Sequence, residues 1–114
     1  MSDTIFGKIA RGEIDTDLIY EDDDVVAFQD ISPQAPTHLL VIPRKPIPTL
    51  NDAEPEDAEL IGKLFLAAAR IAKQAGIAEA GYRTVINCNA GAGQTVFHLH
   101  LHVLGGRPLQ WPPG

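Results

Sequence analysis

The chain has 114 residues, 45% hydrophobic and 21% charged, with a formal net charge of −6. That length predicts one domain over residues 1–114, with enough chain to bury a real core. The acidic balance argues against nucleic acid or an anionic membrane as partner, but not against a small anionic ligand met by local backbone N–H groups and histidines. The longest apolar stretch, 64–72, contains Arg70 and is too short to span a bilayer. A single cysteine, Cys88, permits no internal disulfide and fits a reducing, cytoplasmic setting. Met1-Ser2-Asp3-Thr4 has neither the basic nor the apolar part of a signal peptide.

Taken in chain order, Asp3 or Thr4 is placed to cap a short helix in which Ile5, Phe6 and Ile9 share a face and Gly12 is the stop. Residues 18–21 read as a strand, 21–24 as an acidic turn and 25–30 as a second strand. Alternation on that strand puts Val26, Phe28 and Asp30 on one face and Val25, Ala27 and Gln29 on the other. Residues 32–36 connect to a third strand over 38–42, closed by Pro43. Pro46 and Pro48 keep the next segment irregular. Asp52 is the expected cap of a long helix over 55–75, with Leu60, Ile61, Leu64, Ile71 and Ala75 at helical spacing and Gly76 as its stop. A fourth strand is expected over 82–87, a glycine-containing loop over 89–94 and a fifth strand over 96–104. Gly105 and Gly106 end it, and a tail with Trp111 and three prolines follows. Strands without regular helical crossovers predict an antiparallel α+β fold.

The chain's four histidines are His38, His98, His100 and His102. Three lie at spacing two in an extended pattern, so they share a face at about 6.5–7 Å per step. Leu99, Leu101 and Val103 then face a core. The pattern admits three chemistries. The imidazoles can be half-exposed polar side chains. A His-x-His pair with His38 or Cys88 can hold zinc, although three histidines in a row span too far to share one ion comfortably. Or one neutral imidazole attacks an electrophile while its neighbours fix its tautomer and donate to developing charge. Residues 89–93 are by themselves a weak phosphate-loop signal, and Asp30 before Ile-Ser-Pro reads equally as a turn initiator.

His98-Leu99-His100-Leu101-His102-Val103-Leu104-Gly105-Gly106 resembles the signature of the histidine triad family. Four further segments carry the resemblance toward that family's nucleotide-binding branch. They are Asp30-Ile31-Ser32-Pro33-Gln34-Ala35-Pro36-Thr37-His38, Thr4-Ile5-Phe6-Gly7-Lys8-Ile9, Leu104-Gly105-Gly106-Arg107 after the triad and the terminal Trp111-Pro112-Pro113-Gly114. It covers Thr4 to Gly114. It implies an antiparallel sheet with a long helix and a short N-terminal helix, and a homodimer whose sheet continues across subunits. It also implies hydrolysis of adenosine 5′-phosphoramidates and acyl-adenylates, with release of AMP and without a metal or other cofactor. By the same resemblance His100 takes the adenylyl group, His102 contacts a phosphate oxygen, and His98 and His38 orient the nucleophile. Asp30 meets the ribose hydroxyls. Asn87, Gly93, Gln94 and Thr95 surround phosphate and ribose, and Ile5, Phe6, Ile9, Phe28 and Ile31 line the base pocket. Thr95 stands where many eukaryotic members have Ser, keeping the hydroxyl on a stiffer χ1. Sister branches that hydrolyse dinucleoside polyphosphates or transfer nucleotides carry the same triad, and the Gly-Gly after it favours the branch chosen. A non-catalytic nucleotide- or zinc-binding interaction protein is the alternative of a different class.

Overall fold

The computed structural model describes residues 3–114; Met1 and Ser2, which entered the signal-peptide reading, lie outside the described residues. The elements run in the order α1 (Ile5–Ala10), β1 (Leu18–Glu21), β2 (Val25–Gln29), β3 (Thr37–Pro43), α2 (Ala58–Gln74), β4 (Tyr82–Val85) and β5 (Leu101–Gly105). Short 3₁₀ turns at Leu50–Asp52, Pro55–Asp57 and Ala90–Ala92 punctuate the connections. The five strands form one antiparallel sheet in the order β1-β2-β3-β5-β4.

The sheet separates two apolar clusters, as the period of two along each strand requires. Val25, Ala27, Leu39, Val41, Leu101 and Val103 point to one side and pack against Leu64, Ala67, Ala68, Ile71 and Ala72 of α2. Val26, Phe28, Leu40 and Ile42 point to the other side, where Ile9 and Ala10 of α1 cover them. The 17-residue helix therefore seals one face, while only a six-residue helix covers the other. Among the described residues, no helix is long and apolar enough to cross a membrane.

Several boundaries differ from the sequence expectation. Thr4, and not Asp3, caps α1, its hydroxyl accepting from the Gly7 N–H at 3.0 Å. Asp52 does not cap the long helix. It closes its own turn by accepting from the Thr49 N–H and hydroxyl, and Asp57 takes the corresponding place just before α2 by accepting from the Glu54 N–H. Ala75 is exposed beyond the end of α2 rather than part of its buried stripe. The second strand stops at Gln29 and the fourth at Val85. The largest difference is in β5, which begins at Leu101 and not at residue 96.

The stretch before Leu101 bends away from the ladder, and the proline-rich segment after β3 holds it. The Leu99 N–H donates to the Ile47 carbonyl, the His98 ring to the Pro43 carbonyl, and the Gln94 carboxamide to the Pro48 carbonyl. Proline lacks an N–H but keeps its carbonyl, so Pro43 and Pro48 serve as acceptors.

The two glycines after the triad have different reasons. At Gly105 an added Cβ would meet Ile77 at 2.8 Å, so the position is closed by packing. Gly106 adopts φ +91°, and its Cβ would meet Pro36 at 2.8 Å. Gly105→Ala should therefore lower stability by about 1–3 kcal/mol, the cost of overpacking a filled site. Urea unfolding measures it, and a loss within error would mean that Ile77 yields freely.

Candidate active site

Four imidazoles gather on the thinly covered face. Strand register sets His102 opposite Leu40 and His38 opposite Leu104, so β3 and β5 present both histidines to one side. The opposite alternation is complete: Leu99, Leu101 and Val103 are fully buried in the α2 cluster. The rings of His38 and His102 are 5.1 Å apart, and those of His100 and His102 are 5.0 Å apart. Phe6 stands edge-on to His100 at 5.0 Å and to Phe28 at 5.5 Å, linking α1 to the site.

Main-chain partners decide where each ring proton sits. His100 Nδ1 is 2.7 Å from the His98 carbonyl. A carbonyl only accepts, so neutral His100 carries its proton on Nδ1 and leaves Nε2 with a free lone pair. His98 donates from Nε2 to the Pro43 carbonyl at 2.8 Å. His38 is set the other way: its Nδ1 accepts the Gln34 N–H at 3.0 Å, so its proton is on Nε2. That proton is donated to His102 Nδ1 at 2.9 Å, which leaves the His102 proton on its outer nitrogen, Nε2. The site thus offers one imidazole lone pair at His100 and one N–H donor at His102 on neighbouring rings.

Burial also keeps His98, His100 and His102 uncharged. It pushes His98 and His100 below the ordinary imidazole range, against the opposing pull of the carbonyl each one contacts. His102 is pushed down to about 4, by burial first and then by His100 and His38, with Asp30 opposing.

Asp30 lies just past the end of β2, on the Phe28 side. One carboxylate oxygen accepts the Ser32 N–H at 2.8 Å, and the other is 3.4 Å from His38 Nε2. The turn role and the site role therefore coexist in one side chain. Asp30, His38 and His102 each present a possible metal-ligand atom within 4.8 Å of the others. Cys88, a free and half-buried thiol, is not in that group, and neither are His98 and His100.

The remaining expected site residues divide. Phe28 and Ile9 are buried beneath the face and Phe6 is half-buried beside His100. Ile5 is half exposed and Ile31 is 99% exposed. The Gln94 side chain is committed to the loop: its oxygen accepts the Asn89 N–H at 2.7 Å and its amide donates to the Pro48 and Val96 carbonyls. Its backbone, with that of Gly93 at φ +95°, shapes the turn after the 3₁₀ segment. Thr95 is exposed and Asn87 is half-buried; among the described residues, no hydrogen bond joins them or Gly93 to the imidazoles. Two contributors stand in the segments that carry the resemblance but received no role from the sequence, the Gln34 N–H on His38 and Arg107, which grips the Gln34 carbonyl at 2.9 Å. Both sit in irregular chain, where periodicity carries no signal. A larger hollow of about 410 Å³ lies elsewhere, among Lys45, Lys63 and five carboxylates, but both of these lysines are already paired with Asp57 and Asp24.

A five-stranded antiparallel α+β sheet with histidines at spacing two on one face defines a class, the proteins of histidine-triad architecture. The chain belongs to the HIT family, whose domain model matches residues 11–109. It is 56% identical over 107 residues to the purine nucleoside phosphoramidase of Escherichia coli (strain K12), covering 94% of this chain and 90% of that one. It is 58% identical over 112 residues to an uncharacterized HIT-like protein of Synechococcus elongatus, covering 98% and 97%. Among solved structures, a HIT family hydrolase from Legionella pneumophila Philadelphia 1 superposes with a TM-score of 0.95 at 51% identity, covering 98% of this chain and all of that one. A HIT family hydrolase from Clostridium thermocellum superposes with a TM-score of 0.92 at 41% identity, covering 96% of each.

The buried neutral rings tie stability to pH. Unfolding frees the imidazoles to take protons near their ordinary value of about 6.5, whereas folded His102 resists until about 4. Their contribution is complete above about pH 6.5 and is lost as the pH falls toward the depressed folded values. Asp57, held low by the Glu54 N–H and the Lys45 ammonium, loses its own contribution only at still lower pH. The urea midpoint should therefore drop steadily between about pH 6.5 and 4.5. A flat midpoint across that window would show that the rings are not held neutral.

Proposed function

We propose that the whole chain is one histidine-triad domain acting as a purine nucleoside phosphoramidase. It would cleave adenosine 5′-phosphoramidates and acyl-adenylates to AMP through an adenylyl-histidine intermediate. The observation that carries the reading is the proton position on His100. With Nδ1–H held by the His98 carbonyl, Nε2 presents its lone pair, and burial keeps it unprotonated at neutral pH. The similarity to the Escherichia coli phosphoramidase supports the substrate class.

In the first step His100 Nε2 forms a bond to phosphorus and the phosphorus–nitrogen bond breaks. The departing amine takes a proton, for which the Thr95 hydroxyl is the candidate donor. His102, protonated on its outer nitrogen, donates to a non-bridging oxygen as charge grows there. In the second step water attacks phosphorus and gives a proton to the Thr95 oxygen, restoring its hydroxyl; the bond to His100 breaks, and AMP leaves. Asp30 accepts from the ribose hydroxyls, the backbone of Gly93, Gln94 and Thr95 with Asn87 surrounds the phosphate, and Ile5, Phe6, Ile9, Phe28 and Ile31 take the base. The ionised Asp30 carboxylate suits a vicinal diol, because it only accepts.

We also place the chain in a homodimer whose sheet continues through β4, one of the two edge strands, every residue of which is half-exposed. Trp111 is 80% exposed on the isolated chain, which excludes its packing as a satellite of its own subunit. A partner's surface near the site is the better use of such a side chain. A cytoplasmic setting accords with the lone free thiol at Cys88.

His100→Ala should keep the fold and AMP binding and lose nearly all turnover of an adenosine phosphoramidate. Rapid quenching of the intact enzyme should trap AMP on His100. An adduct elsewhere, or substantial activity in the variant, overturns the assignment. For Asp30 the informative change is Asp30→Asn, which keeps an oxygen for the Ser32 N–H while removing the charge. It should weaken ribonucleotides by about 1.5–3 kcal/mol and 2′-deoxy analogues less. Equal losses on both would make Asp30 structural.

A further inference from the structure

The His38–His102 pair depends on a donor that lies in an exposed, irregular loop. His38 carries its proton toward His102 because the Gln34 N–H occupies its other nitrogen, while the Asp30 carboxylate, 3.4 Å from Nε2, favours the same proton position. Yet residues 31–34 are exposed and belong to no strand or helix. Something must fix the peptide planes on either side of Gln34. Two contacts from the tail do so. Gly106, at φ +91°, packs against Pro36 so closely that a Cβ there would meet it at 2.8 Å. Arg107 Nη2 then donates to the Gln34 carbonyl at 2.9 Å, while its Nη1 donates to the Pro108 carbonyl at 3.1 Å. The Gln34 side chain closes the loop from inside by donating to the Ser32 carbonyl.

We propose that Arg107 is a positioning residue for the phosphate-facing imidazole. By holding Gln34 it fixes the proton on His38 Nε2, and through that proton it fixes the donor nitrogen of His102. The chain of contacts is continuous: guanidinium to the Gln34 carbonyl, Gln34 N–H to His38 Nδ1, and His38 Nε2–H to His102 Nδ1. With the loop released, His38 can place its proton on Nδ1, and its Nε2 then competes with His102 Nδ1 as a second acceptor. His102 must in that case turn its own proton inward and lose its outward donor. The catalytic consequence rests on the phosphoramidase reading above, but the proton positions do not.

The intact ¹⁵N-labelled protein allows a direct test, since imidazole nitrogens report their protonation in two-bond proton–nitrogen spectra. The parent should show His38 and His102 each protonated on Nε2 alone. Arg107→Ala should give mixed tautomers at His38 and His102 while His100 stays protonated on Nδ1. With an adenosine phosphoramidate, kcat should fall roughly tenfold, because a wrong tautomer disables a proton donor, with KM within about twofold. Arg107→Lys, which can still donate to the carbonyl, should restore most of both. Arg70→Ala removes a guanidinium that lies over Tyr20 on the α2 side of the sheet, and should change neither. Single Nε2 tautomers persisting in Arg107→Ala would overturn the proposal. So would mixed tautomers with unchanged kcat, or the same spectra from Arg70→Ala. If the parent turns over no phosphoramidate, the functional reading fails while the spectra still decide the proton positions.

Discussion

The alternation of side chains at the start of β5 is the constraint on which the rest depends. Leu99, Leu101 and Val103 are fully buried against α2 and its neighbours. Burial of such side chains stabilises the fold by about 1.5–3 kcal/mol each. The same backbone sends His98, His100 and His102 to the other side. A slip of one residue would expose three aliphatic side chains and bury three imidazoles in an apolar layer, which is unfavourable on both counts. The core thus holds the histidines in place, even though His98 and His100 stand outside the hydrogen-bonded ladder.

Main-chain groups then do what no side-chain pattern could. The carbonyls of His98 and Pro43 fix two rings, and the Gln34 N–H fixes a third and, through it, a fourth. No charged side chain makes any of these four contacts; Asp30 stands 3.4 Å from His38 Nε2. Fixed dipoles orient imidazoles without charging them, and they leave a lone pair on His100 beside an N–H on His102.

Much of this was legible in the residues. Period two assigned the faces of β2 correctly, down to Phe28 and Asp30 on the histidine side, and β1 begins and ends where its apolar run does. What stayed hidden was long-range pairing. Residues 96–100 have a strand's alternation but not a strand's neighbours, because their donors go to 43–48 instead. Gln94 looked like a free phosphate contact until its carboxamide proved to be spent on Asn89, Pro48 and Val96. Asp52 and Asp57 are equally good caps by composition, and only the path of the chain chooses between them. The grip of Arg107 on Gln34 joins positions 73 apart with no periodic trace.

The division of the interior into two clusters has an evolutionary consequence. The larger cluster, under α2, contains most of the buried aliphatic side chains and touches none of the histidine rings' working side. The smaller one is six buried residues with Phe6, Ile14 and Leu18 at its margin. Substitutions at Ile9, Phe28 or Leu40 therefore alter the layer beneath the histidine face while the packing under α2 is untouched. Because the sheet insulates one cluster from the other, descendants of such a chain can change the histidine face in small steps, each starting from a protein whose main core is intact.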